Sequence, residues 1–180
     1  MRKIILFIVL SLFSFTLNAQ ESEKLSFVEI VPVEGVSSDE LYNRAEIWIA
    51  TAFRNPDKVT KYRNAENHQI ILMPRLNFQY SKTVGKAAAS GTIEYTMKIN
   101  TRDGRYRVEV TDCYHNASSG FGLLTVDTVL TKCRLKLTTL KWEQQVWNEV
   151  QAAINREVLL LFNTLKQNMV IIDAGQSEDW

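Results

Sequence analysis

The sequence predicts a two-layer α+β domain: a mostly antiparallel sheet in the order β-α-β(4)-α, with a long C-terminal helix lying on it. Three observations predict it. A capped amphipathic segment runs from Ser37 to Ala52, an alternating hairpin turns at Asp103-Gly104, and an uninterrupted apolar stripe extends from Thr139 to Val170. The strands between the two helical segments are joined by short turns, which permit antiparallel but not parallel pairing. With 180 residues, 46% hydrophobic and 23% charged, the chain can bury a sizeable core, and 7 Gly and 3 Pro exclude a collagen-like or low-complexity chain.

Residues 1–19 read as a secretory signal peptide rather than as fold. Arg2 and Lys3 form a basic start, Ile4 to Leu17 is an apolar run shorter than the roughly 20 residues a membrane span needs, and Ala19 precedes a polar stretch. Cleavage there takes the formal charge from +1 to −1. No cysteine lies near the cleavage point to accept a lipid, so a periplasmic or secreted protein is expected, with no transmembrane segment after cleavage. Residues 20–25 are polar and read as a flexible N-terminus, 26–172 as one domain and 173–180 as a polar tail.

Phe27 to Val33 reads as a strand ending near Pro32. Ser37 and Glu40 stand at capping-box spacing, and Leu41, Ala45, Trp48 and Ala52 follow at helical steps until Asn55-Pro56-Asp57 stops the helix. Val59 to Arg63 and His68 to Met73 read as two strands. Pro74 demotes Arg75 to Tyr80 to an edge strand, and Ser81 to Ser90 reads as a loop of small residues. In the hairpin, Ile99 is expected opposite Val108, Met97 opposite Val110 and Lys98 opposite Glu109, with apolar pairs on one face and an ion pair on the other. Phe121 to Leu130 reads as a further strand or an irregular crossing. In the last helix Trp147, Val150, Ile154, Val158, Leu161, Leu165 and Met169 step by three or four. Leu159 and Leu160 lie off that stripe and are expected to meet another loop, or else to form a partner site.

The run Gly35-Val36-Ser37-Ser38-Asp39-Glu40-Leu41-Tyr42-Asn43-Arg44-Ala45, followed by Trp48, closely resembles the opening of a family of exported Bacteroidota proteins, domain of unknown function 4468. The hairpin from Gly91-Thr92 through Asp103-Gly104-Arg105-Tyr106 to Thr111-Asp112 is similar to its second hallmark. The resemblance covers about residues 26–172. It implies a TATA-binding-protein-like fold and an exported protein, and it implies no activity. The fold name invites DNA binding, but a chain this close to neutral has no basic excess for a phosphate backbone, so no nucleic-acid partner is expected.

The sequence carries no recognisable catalytic, dinucleotide or zinc motif, so no cofactor is expected; Gly85-Lys86 lacks the rest of a phosphate loop. Cys113 and His115 share one face of a strand, and the hairpin register carried onward sets Glu94 opposite Cys113, which makes a candidate metal or thiol site. Cys113 and Cys133 are the two cysteines of an exported chain. They form a disulfide across a loop of about 20 residues, or remain separate structural thiols, or leave Cys113 to the Glu94–His115 site. The same register sets Asp112 opposite Tyr95, where the Tyr95 hydroxyl could partner its carboxylate. Tyr95, Met97, Val110, Asp112, Ile154 and Val158 would line any pocket under the long helix. The leading expectation is an exported, non-enzymatic binding or interaction module with a protein partner in the envelope. The alternative is a carrier of a small apolar ligand in that pocket.

Overall fold

The computed structural model describes residues 23–126 and 137–170. The signal segment, Cys133 and the polar tail lie outside the described residues, so the expectations about them are carried no further by the fold. The elements are β1 (Phe27–Pro32), α1 (Ser38–Ala52), α2 (Pro56–Val59), β2 (Thr60–Asn64), β3 (Gln69–Leu72), β4 (Arg75–Phe78), α3 (Lys86–Ala89), β5 (Gly91–Arg102), β6 (Arg105–Asn116), β7 (Gly122–Leu123) and α4 (Leu137–Val170). The order β1-β6-β5-β3-β2 forms one sheet, with β4 on β5 and β7 on β6, and every pairing is antiparallel. The expected two-layer α+β architecture is therefore present. The single-turn helices α2 and α3 were not expected, being too brief to carry a periodic signal, and the segment expected as a further strand or an irregular crossing, Phe121 to Leu130, contributes the two-residue β7 within its described part.

Alternation along the strands divides the sheet. Ile93, Tyr95, Met97 and Ile99 of β5 and Tyr106, Val108 and Val110 of β6 are buried against α1 and α4. Leu41, Ala45, Trp48 and Ile49 of α1 and Val146, Val150, Ile154, Leu165 and Met169 of α4 complete the core. At 1.5 Å per residue the 34 residues of α4 span about 51 Å. Two polar links join the helices: Trp48 Nε1 donates to Thr164 Oγ1 at 3.1 Å, and Arg44 Nη1 donates to the Met169 carbonyl at 2.7 Å.

Capping of α1 differs from the expected reciprocal box. Ser37 Oγ accepts from the Glu40 amide at 3.2 Å, but the Glu40 carboxylate takes Arg44 Nε at 2.7 Å instead of reaching back. A distant group completes the cap: Asp103 Oδ1, at the hairpin tip, accepts from the Ser38 amide at 2.8 Å. That bond holds the carboxyl below its ordinary 3.8. Residues 23–25, expected to be loose, pair with the chain after β7 instead. The Leu25 amide donates to the Leu124 carbonyl at 3.0 Å and the Val126 amide to the Glu23 carbonyl at 2.9 Å.

The hairpin register holds from its tip to Thr96↔Thr111 and then shifts. Beyond the shift Glu94 faces Tyr114 and Ile93 faces His115, so two residues, Asp112 and Cys113, stand against Tyr95. Asp112 takes the left-handed conformation at φ +52, which Asp tolerates better than most residues. Before this bulge the even-numbered residues of β6 face the helices; after it the odd-numbered ones do.

Candidate functional site

The bulge disperses the candidate metal or thiol site. Cys113 and His115 turn into the core, both at 1% exposure or less. Glu94 stays on the opposite face of the sheet, ion-paired to Arg75 Nη2 at 2.9 Å. The expected Glu94–Cys113 pairing is therefore corrected: Glu94 faces Tyr114 because one extra residue sits in β6. His115 Nε2 lies 3.0 Å from the Ala89 carbonyl and its Nδ1 accepts from the Phe121 amide at 3.4 Å, so both ring nitrogens serve the backbone. Burial, reinforced by the Asp112 charge, pushes the Cys113 thiol up to about 12, which keeps it out of the nucleophilic thiolate form near neutrality. Among the described residues Cys113 forms no disulfide, and its expected partner Cys133 lies outside them. Among the described residues no cluster of His, Cys, Asp and Glu is arranged to hold a metal.

The six residues expected around a pocket separate in the same way. Tyr95, Met97, Val110, Ile154 and Val158 are each 4% exposed or less, and their side chains fill the space between sheet and α4. The Tyr95 hydroxyl donates to Glu157 Oε1 at 3.0 Å, not to Asp112. Burial raises the Tyr95 pKa, with the Glu157 carboxylate adding to the effect, so the phenol stays a donor. Asp112 is half-exposed at the bulge and ion-pairs with Lys24 Nζ at 2.7 Å, fixing the N-terminal segment rather than lining a cavity. Leu159 and Leu160 remain 62% and 60% exposed, and no described loop covers them.

The larger unassigned feature is the other side of the sheet. Both long helices lie on one face, and among the described residues no helix covers the opposite face. Its side chains are the alternate set: Val28 and Ile30 of β1, Arg107 and Glu109 of β6, Lys98, Asn100 and Arg102 of β5, and Gln69 and Ile71 of β3. Near the hairpin tip all of these but Val28 and Ile71 line a hollow of about 540 Å³ that also takes in Asn67 and Arg105. Gln69 Nε2 donates to Asn100 Oδ1 at 3.0 Å, and Arg107 pairs with Glu109 at 3.0 Å. Lys98, Arg102 and Arg105 make no ion pair among the described residues. Four cations against one carboxylate give this hollow a positive potential on a chain that is almost neutral overall.

A mostly antiparallel sheet with a long C-terminal helix fits the TATA-binding-protein-like fold that the family resemblance implies. Residues 27–116 match the family model described as "Domain of unknown function (DUF4468) with TBP-like fold". The chain belongs to this family. The match begins at the first residue of β1 and ends at the last of β6, so it takes in every strand of the sheet except β7. Two solved structures are similar to this chain in fold. One is a TBP-like protein from Parabacteroides distasonis, with TM-score 0.54 and 16% identity over 79% of this chain and 93% of that one. The other is a DUF4468 family protein from Bacteroides ovatus, with TM-score 0.55 and 13% identity over 84% of this chain and 90% of that one. At these identities the likeness is one of fold. The comparison with curated proteins found no match. No helix among the described residues is long and apolar enough to cross a membrane.

Proposed function

We propose that this DUF4468 chain is an exported, non-enzymatic binding module that meets an acidic protein partner of the cell envelope on the bare face of its sheet. The observation that carries the reading is the hollow ringed by Lys98, Arg102, Arg105 and Arg107 on the face that no described helix covers. Complementary charge steers and orients such a contact, and the neighbouring Ile30, 61% exposed, supplies apolar area at its margin. Export is supported by the layout of residues 1–19. The non-enzymatic reading is supported by the buried thiol of Cys113 and the fully engaged ring of His115. A carrier role in the expected pocket would need open space around Tyr95, Met97, Val110, Ile154 and Val158, and these side chains are packed into the core themselves.

Native mass spectrometry of the protein purified from its own host tests this reading. The account expects the bare chain mass, or that mass plus a second polypeptide whose release follows rising salt. A reproducible adduct of small-molecule size, lost on denaturation, would overturn it in favour of a carrier.

A further inference from the structure

The bare face of the sheet has a candidate occupant within reach on the same chain. α4 runs along β1 toward the hairpin tip: Asn155, Val158 and Phe162 border Phe27 and Val28, and about one turn further Lys166 Nζ lies 4.0 Å from Glu29 Oε1. Val170 stands one turn beyond Lys166, about 6 Å of rise. In β1 the next residue, Ile30, sits on the bare face opposite Arg107, and Pro32 stands opposite Arg105. The end of α4 therefore comes level with the rim of the cationic hollow, one thickness of the sheet away from it. Residues 171–180 follow at that point. Extended, ten residues reach about 33 Å, against a spacing of about 10 Å between packed layers.

The surfaces along this path and the residues available to cover them come in the same order. A chain rounding the β1 edge first meets Val28 and Ile30, 50% and 61% exposed, and then the cations of the hollow. The sequence after Val170 reads Ile171-Ile172, then Asp173, Glu178 and Asp179, with no cation among them. Among the residues lining the hollow Glu109 is the one carboxylate, and it takes Arg107 at 3.0 Å. Lys98, Arg102 and Arg105 are left without an ion pair among the described residues. The cations nearer the end of α4 are engaged, Arg44 by Glu40 and the Met169 carbonyl and Lys166 by Glu29. Three carboxylates thus face three unpaired cations, and a tether of this length presents them at high effective concentration. We propose that residues 171–180 turn around the β1 edge and occupy the cationic hollow, with Glu178 and Asp179 set among Lys98, Arg102 and Arg105, and that an acidic partner binds by displacing them. This rests on the reading of the bare face as an acid-binding surface and goes beyond it by naming the resident ligand.

Two measurements on the full protein from its own host test the proposal. Zero-length carbodiimide coupling joins a lysine amine only to a carboxylate in contact with it, and a mixture of isotopically light and heavy protein separates links within a chain from links between chains. The expected link joins Lys98 to Glu178 or Asp179 of the same chain and disappears when Arg102→Glu and Arg105→Glu are combined. The Lys24–Asp112 link, from a pair 2.7 Å apart at the β6 bulge, should persist and shows that the variant is folded. No link from Lys98 to the tail while Lys24–Asp112 forms, or links only between light and heavy chains, would overturn the proposal. The second measurement is the affinity of a synthetic peptide of residues 171–180. It should bind a protein carrying Asp173→Asn, Glu178→Gln and Asp179→Asn at least tenfold more tightly than the wild type, whose own tail competes, and should lose that binding when Arg102→Glu and Arg105→Glu are added. Equal affinity for both proteins would overturn the resident tail and leave the hollow open to an acidic partner; no binding to either would count against the acid-binding face as well.

Discussion

The indole N–H of Trp48 donates to the hydroxyl of Thr164 at 3.1 Å and joins the two helices above the core. Trp48 is 1% exposed, so this donor has no access to water if its acceptor is lost. Thr164→Val keeps the side-chain shape and strands the N–H, which should cost about 1–2 kcal/mol in chemical denaturation. Thr164→Ser should remain near wild type. Equal loss in both variants would place the contribution of Thr164 in its methyl packing.

The long helix is oriented by its apolar stripe, and two neighbours on it should respond oppositely to the same charge. Ile154 is fully buried and Arg156 is exposed. Ile154→Asp puts an unpaired carboxylate in the core and should abolish cooperative unfolding. Arg156→Asp should fold with an unchanged thermal midpoint. Similar midpoints for the two would mean that α4 is rotated from the orientation described.

Asp103 links stability to acid. Its carboxylate accepts from the Ser38 amide, and its pKa lies below the ordinary 3.8, so the folded state holds a proton less readily than the unfolded chain. The stabilisation is therefore complete above about pH 4 and is lost as pH falls through the lowered value. Denaturation midpoints should fall less steeply below about pH 4 in Asp103→Asn than in the wild type. Parallel pH profiles would remove Asp103 from the cap of α1.

Cys113 should resist iodoacetamide at pH 8 in the folded protein, because its thiol is buried and pushed up to about 12. After unfolding without reductant it should be alkylated. A need for reductant first would show that it is bridged to Cys133.

Most of the fold was legible because each long element carries its own period. The hairpin register at Ile99, Val108, Met97 and Val110 follows from alternation and the Asp103-Gly104 turn, and the stripe of α4 follows from steps of three and four. The candidate site was misplaced by one residue. Carried past Thr111, the alternation puts Cys113 and His115 on the outer face with Glu94, whereas Asp112 at φ +52 absorbs a position and sends both inward. A signal for this was present: the apolar phase changes from Tyr106, Val108 and Val110 to Cys113, with an αL-tolerant Asp at the junction. The cationic hollow was not legible at all. Lys98, Asn100, Arg102, Arg105 and Arg107 read along the chain as the solvated side of a hairpin, and Asn67 and Gln69 join them only through the β3–β5 pairing. The second half of the α1 cap was hidden for the same reason, since Asp103 reaches Ser38 across 65 positions.

The central claim is that the bare sheet face, not the helical face or an internal cavity, meets the partner. Photo-crosslinking in the native host tests it most directly, with benzoylphenylalanine placed at Asn100 on the bare face and, separately, at Ala50, which is exposed on α1. The account predicts a discrete polypeptide adduct from position 100, lost when Arg102→Glu and Arg105→Glu are combined, and none from position 50. An adduct from position 50 with none from position 100, or an adduct at 100 consisting of nucleic acid, would contradict it.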